Sequence, residues 1–316
     1  MEVIESPRVT PFNGQRVSFG RHETFPLRYA WLTKGFESIV ANPNGLHADD
    51  ATVQLGVGRN MIYAIRYWLR AARMAEPNPQ KDGLTPTHLG TLLFGHNGLD
   101  QYLEDEATIW LIHWLLASNP HDSTAWYWFF NHFHKPEFTS SELSAALGHF
   151  TQTHITAKQS LTKAKQDAAV LLRMYARSKT SLKTTIEESL DSPLSTLRII
   201  TYSRENKRYQ SRPTEKVHLP VGIFAFAIAE LFSYHDTAAI PVQELMNSRQ
   251  QLPAPGSIFR LTESALIAMI ETLTTVYPSH YELRDTAGLN QLYRLGECDP
   301  YFFLSDHYSQ TTKQAA

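Results

Sequence analysis

Arg59, Arg66, Arg70 and Arg73 follow one another at spacings of seven, four and three residues. At ~100° per residue on a helix they fall within about 60° of one another. Tyr63 stands beside them, and Asn60 opens the same run. Such a stripe suits DNA, because arginine pairs with phosphate and reads guanine bidentately in the major groove. Lys207, Arg208 and Arg212 form a second basic group at the tip of a stretch with hairpin-like period. The candidate DNA-binding residues are therefore Arg59, Asn60, Tyr63, Arg66, Arg70, Arg73, Lys207, Arg208 and Arg212. The competing reading of the stripe is a surface helix whose arginines are solvated.

Two further clusters hold groups suited to hydrolysis. In Arg21-His22-Glu23-Thr24-Phe25-Pro26-Leu27-Arg28, with Lys34 beyond it, adjacent His22 and Glu23 could supply a base and a metal ligand. Arg28 and Lys34 could stabilise charge developing on a phosphorus centre. These four are the candidate catalytic residues, against a reading in which Glu23 and Thr24 only favour a helix start. The second cluster joins Asp100, Glu104, Asp105, Glu106 and His113, with Asn131, His132 and His134 farther on. These are ligand types for a divalent ion. Asp105, however, stands where a helix cap belongs, and His113 lies on a helix apolar on most sides, so no metal site is assigned there.

Positioning these groups requires mostly helices. Residues 1–20 read as an arm. Pro26 marks a helix start carrying Leu27, Ala30, Trp31 and Phe36. After the Asn42-Pro43-Asn44-Gly45 turn, residues 51–55 form a short helix, and Gly56 and Gly58 permit a sharp change of direction before the arginine helix. Met61, Ala64, Ile65, Trp68 and Ala72 give that helix its core face. The turn EPNPQKDG, with a strand on either side, would form a wing. The expected class is mainly α, with winged-helix or helix-turn-helix domains, small β-wings and a helical middle region. The expected units are the arm, a winged-helix DNA-binding domain over 21–99, a helical middle domain over 100–195, and a C-terminal winged-helix-like domain with a basic hairpin over 196–316. Four of the six tryptophans fall within residues 100–134, which therefore read as buried.

Net charge is −2, distributed as −4 over residues 1–154, +7 over 155–218 and −5 over 219–316. A basic middle between acidic ends gives a local footprint for phosphate. Cys298 is the one cysteine, which excludes an internal disulfide and a cysteine-based zinc finger. Neither a secretory signal nor an apolar run of about 18 residues is present, so a cytoplasmic protein without a membrane partner is expected. The phosphate-loop, dinucleotide, zinc-helix and nucleophile-elbow motifs are absent, which argues against an ATPase, a metalloprotease and an α/β-hydrolase.

The segments HETFPLRYAWLTKG, LGVGRNMIYAIRYWLRAA, YLEDEATIWLIHWLL and WYWFFNHF together resemble a bacterial family first catalogued as a domain of unknown function. Its best-described members are similar to the B component (SspB) of single-strand DNA phosphorothioation systems. The similarity runs from about Phe19 through YELRDTAGLNQLYRL. The resemblance implies a DNA nickase working beside a cysteine desulfurase, an ATPase and an ATP-pyrophosphatase-like sulfur-transfer protein, in a modification that supports defence against phage. It carries over no catalytic residue, and neither a PD-(D/E)xK core nor an HNH motif stands in the chain. The expectation is a protein that binds duplex DNA through the helix from Arg59 and nicks one strand with Mg²⁺ or Mn²⁺, with a homo-oligomer left open. The alternatives are a non-catalytic DNA-binding adaptor that recruits the modification enzymes, and a winged-helix transcriptional regulator.

Overall fold

The computed structural model describes residues 9–47, 50–78, 82–176, 192–215, 218–235, 237–249, 251–286 and 288–315. The first unit opens with α1 (Tyr29–Ala41), which buries Trp31, Leu32, Phe36 and Ile39. Arg28 is its N-cap, so Pro26 precedes the helix instead of starting it. The short α2 (Ala51–Leu55) ends at Gly56, whose φ of 65° is the left-handed cap geometry that glycine adopts without a Cβ penalty. Gly58 then caps α3 (Arg59–Ala71), which buries Ile62, Ile65, Trp68 and Leu69. The two long helices approach closely at Gly35, where a Cβ would lie 2.5 Å from Ile65 Cγ2. Behind α3, β1 (Ala75–Pro77) and β2 (Leu84–Pro86) pair antiparallel, as the turn chemistry predicts. Thr87 then caps α4 (His88–Phe94) by accepting from the Gly90 N–H.

Two helices of the middle region are apolar all round and therefore need cover on every side. Every residue of α5 (Glu106–Ala117) from Ala107 onward is buried, and α6 (Thr124–His132) is buried from Thr124 to Asn131. A capping box between Thr139 and Glu142 starts α7 (Ser140–His154). The basic segment that follows reads on sequence as one long helix or two broken ones; it breaks after His154 and resumes as α8 (Leu161–Tyr175). The expected hairpin forms from β4 (Thr201–Ser203) and β5 (Arg208–Gln210), and β5 also pairs with β3 (Glu137–Phe138) from the middle region.

The C-terminal part runs α9 (Val221–His235), β6 (Ala239–Pro241), α10 (Val242–Met246), α11 (Pro255–Ile258), α12 (Glu263–Val276), β7 (Tyr281–Thr286), β8 (Leu289–Arg294) and α13 (Pro300–Ala315). Its sheet has the order β6-β8-β7, antiparallel throughout. The fold is thus mainly α with small antiparallel sheets. Buried side chains from Val9 to Tyr308 form one connected core. Arg260, only 4% exposed, ties it together by donating to the carbonyls of Phe129, Phe130 and Phe133 at the end of α6. Burial pushes its guanidinium down to about 10. Among the described residues no helix is long and apolar enough to cross a membrane.

Candidate nucleic-acid cleft

Packing of one face decides what the other face of α3 presents. Trp68 is fully buried and donates its indole N–H to the Phe25 carbonyl at 3.2 Å, which fixes the rotation of the helix. Arg59, Asn60, Tyr63 and Arg70 are then exposed and Arg66 is half-buried. Arg73 is not part of this face. The helix is capped at Ala72, Arg73 has a φ of 59°, and its side chain is 3% exposed. It donates to Glu230 at 2.9 Å and to Ser118 at 2.7 Å, so the fourth arginine of the stripe is a core residue joining α3 to α9 and α5.

Tyr63, Arg66, Tyr67 and Arg70 form one wall of a cleft of about 540 Å³. The cleft is also lined by Arg16, Arg21 and Glu23 from the segment before α1, and by His121 and Asp122 from the turn before α6. Four arginines therefore line one concavity. Burial, and then the charge of Arg70, hold the Arg66 pKa below the usual arginine value, with Tyr63 opposing them. Arg66 Nε is buried and, among the described residues, has no hydrogen-bond partner. Arg70 pairs with Asp122 at 2.9 Å, with both side chains well exposed, which makes this a weak surface contact. Arg59, Tyr63 and Arg66 also line an adjoining hollow of about 300 Å³ with His47 and Thr52. Burial and then Arg66 lower the His47 pKa, while Asp82 opposes them.

His121 and Asp122 escape a reading by sequence motif, because they lie about fifty residues beyond the arginine helix and only packing brings them to it. The His121 Nδ1 lies 2.7 Å from the Arg16 carbonyl. A carbonyl only accepts, so Nδ1 carries a proton, and in the neutral tautomer the lone pair is on Nε2.

The four candidate catalytic residues are not gathered at one site. His22 is fully buried, stacked on Trp68, with Nε2 2.9 Å from Asp167 Oδ1. Its Nδ1 accepts the Thr24 N–H at 3.1 Å, so both ring nitrogens are engaged. Asp167 also accepts the Gly20 N–H at 2.7 Å, and burial raises its carboxyl pKa against the opposing bond from His22. His22 thus shapes the turn. Glu23 and Thr24 both have left-handed φ, 49° and 64°, and Glu23 is exposed in the cleft. Arg28 and Lys34 line a different hollow, of about 740 Å³, between α1 and the α2–α3 turn.

The second cluster is structural. Asp100 accepts from the backbone N–H groups of Glu104 and Asp105 and from the Thr108 hydroxyl. Asp105 caps α5 by accepting from the Ala107 N–H at 2.8 Å. His113 is fully buried between the Tyr175 hydroxyl and the Ile258 carbonyl, each at 2.9 Å. Among the described residues no three His, Cys, Asp or Glu side chains converge as metal ligands. In the basic hairpin, Arg208 pairs with Glu137 and Glu142 and Arg212 with Glu137, while Lys207 is exposed with a φ of 51° at the turn. Much of the hairpin's positive charge is thus compensated within the protein.

Two solved structures are similar to this chain over 92% of its length and 88% of their own. One, titled "SspB crystal structure", is 26% identical with a TM-score of 0.81. The other, titled "Magnesium ion-bound SspB crystal structure", is 28% identical with a TM-score of 0.80. Comparison with curated proteins gives no match. The family described as "Protein of unknown function (DUF4007)" matches residues 19–308. Covered by that family from before α1 into α13, and built like the SspB structures, the chain belongs to the DUF4007 family and is an SspB-type protein.

Proposed function

We propose that the chain works in a DNA phosphorothioation system, that its cleft binds the DNA backbone, and that it cleaves one strand there. The observation that carries the reading is Arg66, whose buried Nε lacks a partner in a cleft that also holds Arg16, Arg21 and Arg70. An orphaned charged donor beside like charges is stabilised by an anion, and a phosphodiester supplies both the charge and the acceptor oxygens. The order α1, α2, α3, β1, β2 supports reading residues 21–99 as a winged-helix unit with α3 as its recognition helix. The likeness to SspB supports a place in the modification system, and the family resemblance implies a cysteine desulfurase, an ATPase and a sulfur-transfer protein as partners.

His121 Nε2 is suited to take a proton from water as the water oxygen attacks phosphorus. One P–O ester bond then breaks, and the leaving oxygen takes a proton from solvent, giving a phosphate and a hydroxyl, while Arg66 and Arg21 offset the charge on the phosphoryl oxygens. Glu23 and Asp122 are the carboxylates lining the cleft. They suit Mg²⁺, which uses one or two carboxylates with substrate phosphate and water instead of an all-protein cage. A bound Mg²⁺ would supply Lewis-acid activation of the phosphoryl group.

The test is conversion of supercoiled plasmid to open circles with Mg²⁺, Mn²⁺ or EDTA. Metal-dependent nicking that disappears in His121→Ala and Glu23→Gln supports the reading; nicking unchanged in both removes this cleft as its site. The non-catalytic adaptor stands as the second reading, favoured by the Arg70–Asp122 pair, which occupies one of the two carboxylates. It predicts plasmid that is retarded but intact.

A further inference from the structure

The 740 Å³ hollow is larger than the arginine cleft and lies outside the reaction proposed above. Its apolar lining comes from Ala30 and Trp31 of α1 with Val57 and Met61 of the α2–α3 turn and α3. Tyr29, 42% exposed, stands at its edge, and the cations Arg28 and Lys34 flank it. The Arg28 guanidinium lies 5.2 Å from the Trp31 ring centroid. Gly56 and Gly58 line the other side, and a Cβ built on either meets no atom within 4 Å, so backbone there is open to a ligand. A pocket of this size with an apolar floor and few charged groups is the usual form of a small-ligand site.

Aromatic and aliphatic surface beside two cations fits a flat heterocycle carrying a phosphate. We infer that this hollow receives one unpaired nucleotide of the bound DNA, its base against Tyr29 and the apolar floor and its phosphate near Arg28 and Lys34. Continuity with the DNA-binding face selects this occupant over a protein side chain. Thr52 lines both this hollow and the one formed by Arg59, Tyr63 and Arg66, so a strand held on α3 passes its mouth. Displacing a nucleotide from the duplex costs stacking and pairing, which stacking in the pocket offsets. The inference rests on the DNA-binding reading of α3.

Full-length protein would be titrated with three fluorescent DNAs: a duplex, the duplex with a one-nucleotide 2-aminopurine bulge, and the same bulge made abasic. The free 2-aminopurine nucleotide monophosphate serves as a fourth probe. The 2-aminopurine bulge should bind about tenfold tighter than the abasic one, as expected for one base on an aromatic side chain. Its fluorescence should fall on binding. Tyr29→Ala should remove the preference with duplex affinity kept, and Lys34→Ala should weaken the mononucleotide. Duplex binding with equal affinity for both bulges, and no mononucleotide binding, overturns the inference and leaves the DNA reading intact. Mononucleotide binding lost in Tyr29→Ala, without duplex binding, supports the pocket and overturns the DNA reading instead.

Discussion

His22 and Asp167 are 145 residues apart in sequence and meet in the core with Nε2 2.9 Å from Oδ1. The bond to Asp167 sets the tautomer, the tautomer makes Nδ1 an acceptor, and Nδ1 holds the Thr24 N–H. The two left-handed residues Glu23 and Thr24 are thereby pinned, at a conformational cost of roughly 1–2 kcal/mol each. His22→Ala should cost about 1–3 kcal/mol in urea unfolding, as expected for leaving the buried Asp167 carboxyl and the Thr24 N–H without this partner. Glu23→Gln, at an exposed position, should stay within about 0.5 kcal/mol of the parent while abolishing any nicking. An unchanged midpoint for His22→Ala would show that the turn stands without this bond.

Under the proposed function, Arg66 and Arg73 separate binding from folding. Replacing Arg66 or Arg70 by alanine should lower the slope of log K against log salt for duplex DNA by about one each, through fewer released counterions. Arg73→Ala should leave that slope alone and lower stability, since it strands Glu230 in the core beside Trp114, whose indole N–H donates to it at 2.6 Å. A slope that responds to Arg73 and not to Arg66 would move the DNA surface off this face.

Glu142 makes stability depend on acid. The Lys135 ammonium, then the Thr139 backbone N–H, and more weakly Arg208 hold its carboxyl at about 2, against an ordinary 4.5. Between those values the unfolded chain binds more protons, so this contribution is fully present above pH 4.5 and is lost as pH falls toward 2. Glu142→Gln keeps a side chain that completes the capping box and should flatten the urea midpoint over that range. A midpoint with the same acid dependence in the variant would refute the assignment.

Arg260 is predicted to matter through its planar fork. Arg260→Met leaves the carbonyls of Phe129, Phe130 and Phe133 without that donor and should cost about 2–4 kcal/mol. Arg260→Lys should rescue little of it, because one ammonium cannot span three carbonyls and the Ser211 hydroxyl. Full rescue by lysine, read in the same unfolding experiment, would show that charge alone suffices.

Local physics was legible in the chain. The Asp105 cap, the end of α2 at Gly56 and the paired strands around EPNPQKDG follow from hydrogen bonding and backbone sterics within a few residues. So does the 3.6-residue period that puts Arg59, Arg66 and Arg70 on one face with Trp68 opposite. The same period misplaces Arg73, because the helix ends at Ala71, two residues before it. The motif at His22 and Glu23 was visible, but not that one side chain turns into the core and its neighbour into the cleft.

The sequence by itself determined where most of the helices lie and which face of α3 carries charge, since each depends on contacts between near neighbours. Only the tertiary structure decided that Arg16, Arg21, His121 and Asp122 line one cleft with Arg66, that His22 stacks on Trp68 in the core, and that Arg208 meets Glu137 on the neighbouring strand and Glu142 in α7. Those outcomes depend on how helices distant in sequence bury their apolar faces against one another, and local periodicity carries no record of which distant partner supplies the cover.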